Sequence, residues 1–133
     1  MNYHDYHLRG YSISDFGETV VLDLIYDYPD QTVKESQIEF SGVALYHFIH
    51  TSGAIITEIC PCPLTTILSE YSSQIPEWDR LQSVADWPNS VGKYKTKLEE
   101  DGLSAWRIES AIGFHGFVIG KEATQKAASG RRE

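Results

Sequence analysis

From Thr19 to Tyr28 apolar and polar residues alternate: Val20, Leu22, Leu24, Tyr26 and Tyr28 share one parity, while Thr19, Asp23 and Asp27 fall on the other. A period of two is the signature of a half-buried β-strand. Tyr6 to Ile13 predicts a first strand with a bulge at Gly10, followed by a polar turn at Ser14-Asp15-Phe16-Gly17. Between Gln37 and His50 both parities turn apolar, with Ile38, Phe40, Ala44, Tyr46 and Phe48 on one side and Val43, Leu45, His47 and Ile49 on the other. Such a strand is expected in the sheet interior, covered on both faces or lending one face to a homodimer interface. Thr51-Ser52-Gly53 then predicts a hairpin turn into a β-branched strand from Ala54 to Cys60.

The period changes after Pro63, a residue suited to the first turn of a helix because its missing N–H is not needed there. Leu64, Ile67, Leu68 and Tyr71 share a helical face, and Pro76 ends or restarts the segment. Glu77 to Pro88 reads as irregular and Trp-rich, with a short helix from Glu77 to Val84. A further helix is predicted from Ser90 to Asp101, with Val91, Tyr94 and Leu98 inward and Gly102 as its terminator. Ala105–Ile112 and Phe114–Ile119 alternate as two more strands around Gly113, while the chain from Lys121 onward shows no apolar period. The predicted architecture is a single α+β domain over residues 1–120. It has one antiparallel sheet of about six strands, two or three helices inserted between strands four and five, and a flexible C-terminal tail over 121–133.

At 133 residues, 41% of them hydrophobic, the chain can bury one core without disulfides or metal. Its formal charge is −8, and residues 1–60 carry two basic side chains against nine acidic ones. An acidic chain whose basic concentrations are confined to Lys93, Lys95 and Lys97 and the pair Arg131-Arg132 argues against nucleic acid and suits a basic partner protein. Asp23, Asp27 and Asp30 are the expected partner-facing carboxylates, and Trp78 and Trp87 the expected aromatic anchors, while Trp106 alternates with Ile108 and reads as core. No apolar run is long enough for a membrane helix, and Met1-Asn2-Tyr3-His4-Asp5 lacks the regions of a signal peptide, so a cytoplasmic protein is expected.

No GxGxxG, GxxxxGK[ST] or GxSxG sequence occurs, so no nucleotide cofactor and no α/β-hydrolase are expected. Cys60-Pro61-Cys62 has neither zinc nor CxxC redox spacing, and reads as a pair of reduced thiols at a strand end. His4-x-x-His7, with Asp5, and His47-x-x-His50 invite a metal reading, but strand residues three apart point to opposite faces, so no metal is expected. His4, Asp5, His7 and His47 remain candidate ligand-facing residues, and a small hydrolase using His47 or His4 with a nearby carboxylate is the alternative to a binding role.

The segments His4-Asp5-Tyr6-His7-Leu8-Arg9-Gly10-Tyr11 and Phe40-Ser41-Gly42-Val43-Ala44-Leu45-Tyr46-His47-Phe48 resemble a family of small uncharacterised bacterial proteins. That family is similar, in size and acidic α+β make-up, to the immunity-type proteins encoded beside secreted bacterial toxins. The resemblance implies a cytoplasmic protein-binding module that neutralises a basic partner protein without catalytic residues of its own.

Overall fold

Strand periodicity dominates the chain, and hydrogen bonding joins the strands into one antiparallel sheet. The computed structural model describes residues 2–75, Glu77 and 91–127. In order these form β1 (His7–Ser14), β2 (Thr19–Tyr26), β3 (Lys34–Ser41), β4 (Leu45–Cys62), α1 (Leu64–Glu70), α2 (Val91–Glu100), β5 (Ser104–Gly120) and β6 (Glu122–Ala127). The strand order is β5-β4-β1-β2-β3-β6. Its two edge strands are consecutive in the chain, so the sheet must curl until the end of β5 meets the start of β6. The corner between β5 and β6 is held by Lys121 N–H to the Ser41 carbonyl at 2.9 Å, and Ala44 N–H to the Ile119 carbonyl at 2.9 Å extends the β4–β5 pairing beside it. The result is half of a barrel.

Alternation places one set of side chains inside the curl. Val20, Leu22, Leu24, Ile38, Phe40, Ile56 and Ile108 lose all solvent contact there. Trp106 joins them, its ring 5.5 Å from Phe40. Tyr3 plugs one end, its hydroxyl shared between Ser36 Oγ at 2.7 Å and the Gln125 amide at 2.9 Å. Among the described residues the outer face is dressed over β4 and β5, where Leu64, Ile67 and Leu68 of α1 and Leu98 of α2 cover Leu45, Ala105, Phe117 and Ile119. Helix α2 stops where Gly102 adopts φ +76°, with Gly102 N–H bonded to the Glu99 carbonyl and Leu103 N–H to that of Leu98.

The α+β prediction is therefore corrected to a mainly β fold with two short helices among the described residues. The strands on which the inserted-helix layout depended do not exist as separate units. Predicted strand three is cut at Gly42, whose φ of +59° turns the chain, and a Cβ there would meet the Lys121 side chain at 2.8 Å. Its second half runs on through Thr51-Ser52-Gly53 into predicted strand four, making the 18-residue β4. Predicted strands five and six likewise fuse into the 17-residue β5. The supposed hairpin signals at Gly53 and Gly113 are a corner where both long strands bend together. A Cβ on Gly113, at φ +82°, would lie 1.8 Å from the Gly53 carbonyl oxygen. Glycine there permits a backbone approach that the bent sheet requires.

The domain boundary moves too. Residues 122–127, expected in a flexible tail, form β6 and pair with β3 from Ser41↔Glu122 to Ser36↔Ala127. Polar side chains on an edge strand carry no apolar period, so the pattern was invisible. The second apolar face of the Gln37–His50 segment, the reason for expecting a homodimer, is covered within the chain at Val43 and Leu45 and stays open at Ile49. No helix among the described residues is long and apolar enough to cross a membrane.

Candidate functional site

Strands β1 and β4 are neighbours in the sheet but pair at only one position, His7↔Ile55. Register shifts lie on both strands around that point, including Ile55/Ile56 and Ile56/Glu58 on β4. The register of β1 slips between Leu8 and Gly10, and that of β4 slips between His50 and Ile55. Bulges add local twist, and beyond them the strands part. Near the bulges Ile56 N–H bonds the Tyr6 carbonyl at 2.7 Å, and at the far end the connections that follow β1 and precede β4 meet where Val43 N–H bonds the Glu18 carbonyl at 3.0 Å, continuing the β2–β3 pairing beyond Thr19↔Ser41. Between these ties lies a slit of about 670 Å³ lined by Tyr11, Ile13, Phe16, Gly17 and residues 43–48.

Tyr11, Phe16, Tyr46 and Phe48 are the aromatic part of its lining. Slippage at Arg9 lets Leu8 and Tyr11 face the same side, since they stand opposite Leu24 and Leu22. Tyr11 then meets Phe48 at 5.2 Å between ring centroids, His50 at 5.8 Å and Phe114 at 6.0 Å, and Phe48 meets Tyr46 at 5.4 Å. Tyr11 and Ile13 keep 38% and 41% of their surface open. At the rim the β1–β2 connection is a left-handed turn, with φ of +56°, +59° and +92° at Asp15, Phe16 and Gly17. Thr19 Oγ1 donates to Asp15 Oδ2 at 2.8 Å across it. The turn holds Phe16 in solvent, fully exposed at 107%. A phenylalanine with positive φ and a fully exposed ring is costly twice over, in backbone strain and in apolar hydration.

The predicted site residues are scattered. Asp23 sits on the convex face of β2, where Arg9 clasps both carboxylate oxygens at 3.1 Å and also reaches Glu35 at 3.4 Å. Asp27 and Asp30 are exposed in the β2–β3 connection, apart from that pair. Trp78 and Trp87 lie outside the described residues. His4 and Asp5 form an exposed pair at 3.6 Å beside Thr57, and His7 stacks against Tyr28 at 5.5 Å. His47 is at the other end of β4, within the run that lines the slit, with its ring 5.5 Å from Tyr71 and 6.2 Å from Phe117. Burial, reinforced by neighbouring His115, holds the His47 imidazole below its usual range. Glu70 lies 4.0 Å from His115, and Arg107 engages it. Both cysteines are free, and burial, helped by Glu58, pushes the Cys60 thiol up. Among the described residues no three His, Cys, Asp or Glu side chains gather to hold a metal.

Sequence reasoning thus missed Tyr11, Ile13 and Phe16, and read their turn as merely polar. A signal existed: a phenylalanine between Asp15 and Gly17, in a segment otherwise suited to water, had no core to enter. No protein-family model, no curated protein and no solved structure matches this chain.

Proposed function

We propose that this chain is a protein-binding module, that its contact surface is the slit between β1 and β4, and that the partner is a basic protein. The observation that carries the reading is Phe16, an aromatic side chain held fully in solvent by a strained turn at the mouth of an aromatic-lined opening. Exposed aromatics beside a concavity are typical anchors of protein contacts. A net charge of −8 favours encounter with a positively charged surface. Binding that occludes the partner's own site makes the module an immunity-type inhibitor, in keeping with the sequence resemblance.

A photo-crosslinking amino acid at position 16, introduced in the organism that encodes the chain, tests this, with position 37 on the convex face as the control. The expected result is a discrete adduct with a basic protein from position 16 and none from position 37. No adduct at position 16, together with small-molecule turnover that His47→Ala abolishes, would replace this reading with the hydrolase alternative.

A further inference from the structure

We infer that the slit is a strand-insertion site: an extended segment of the partner enters between β1 and β4, bonds to both edges and ends in a basic residue at the Glu18 rim. This rests on the protein-binding reading and names the form the partner takes. Among the described residues, no strand pairing joins Gly10–Ser14 to Leu45–His50, although each run is a regular strand bonded on its other side, to β2 and to β5. Alternate N–H and C=O groups of each run therefore face the slit. Such edges are templates for an added strand, whose backbone supplies affinity while alternate side chains supply selectivity. Runs of five or six residues span roughly 20 Å at strand rise, the length of an ordinary strand. One face of the incoming strand would meet Tyr11, Ile13 and Phe48.

Charge selects among occupants. At the Val43 end the rim carries exposed Asp15 and Glu18, and neither forms an ion pair among the described residues. The neighbouring recess adds Asp101 beside Lys121. A Lys or Arg at one end of the inserted strand complements this rim. A second copy of the chain, itself at −8, would bring like charge to the same place.

The test uses the full chain and a displayed library of random seven-residue peptides, followed by amide exchange of the isotope-labelled protein with an enriched peptide. Enriched peptides are expected to carry apolar residues at every second position and Lys or Arg at one end. Alternate amides of Gly10–Ser14 and Leu45–His50 should exchange rapidly in the free protein and slow on binding. N-methylation of alternate peptide amides should weaken binding about tenfold or more, the loss of one or more hydrogen bonds. Glu18→Lys should weaken it about threefold at low salt, the scale of an exposed charge pair. Amides already protected in the free chain, binders that tolerate N-methylation, or a library that enriches nothing overturns strand insertion. If position 16 still yields its crosslinked partner, the binding reading survives that outcome. Absence of both crosslink and enriched peptide removes the binding reading as well.

Discussion

Phe16 shows how a residue's own conformational preference can be set against stability. Left-handed backbone costs an L-residue about 1–2 kcal/mol, and an exposed ring returns nothing in packing. Phe16→Gly is therefore expected to raise unfolding free energy by about 1 kcal/mol, measured by urea denaturation, while weakening partner binding. A variant that is less stable would mean that the ring supports the fold. Phe40 is the opposite case, fully buried against Trp106, and both residues were legible as core from alternation alone. Phe40→Ala should cost about 3–5 kcal/mol. At His47 the effect is one of pH. The folded state resists protonation, so the unfolded chain binds the extra proton. Stability is complete above the ordinary histidine value of 6.5 and falls as pH drops through it. An otherwise identical His47→Gln protein should lose less stability between roughly pH 7 and pH 5, when the two are unfolded in parallel.

Among the elements, β2 and α1 follow directly from periodicity, because each has one buried face. The long strands β4 and β5 do not. Thr51-Ser52-Gly53 and Gly113 carry the composition of hairpin turns, and only the approach of the Gly113 Cα to the Gly53 carbonyl shows them to be two halves of one bend. Gly113→Ala should be destabilising by roughly 3 kcal/mol, through strain and collision with backbone that cannot move aside. Gly10→Ala should be nearly silent, since a Cβ there meets nothing within 4 Å and φ is not positive. Thermal unfolding of the pair distinguishes a structural corner from an ordinary glycine. Strand β6 was unreadable for a different reason: its polar residues earn their place through backbone pairing with β3. Truncation after Lys121 should bare the Ser36–Ser41 edge, lower the unfolding temperature and promote self-association detectable by light scattering.

For the whole molecule, the sheet curls as half a barrel and its pairing is interrupted inside it, between β1 and β4. The edges of β5 and β6 are joined through the chain, and the break falls inside the sheet between β1 and β4. Acidic charge was readable as a total, and a partner-association rate that falls with salt is its expected consequence. Its placement was not readable, since Arg9 neutralises Asp23 on the convex face and leaves Asp15 and Glu18 as the open carboxylates at the slit. The sequence by itself determined which residues alternate into a core, where α1 begins, the span of α2 to within a residue, and the acidic sign of the charge. These depend on neighbours a few positions apart, which periodicity records. Tertiary structure alone decided that predicted strands merge, that residues 122–127 add an edge strand beside β3, and that β1 and β4 part to leave a slit. Those outcomes depend on pairings between segments tens of residues apart, and local pattern carries no register for them.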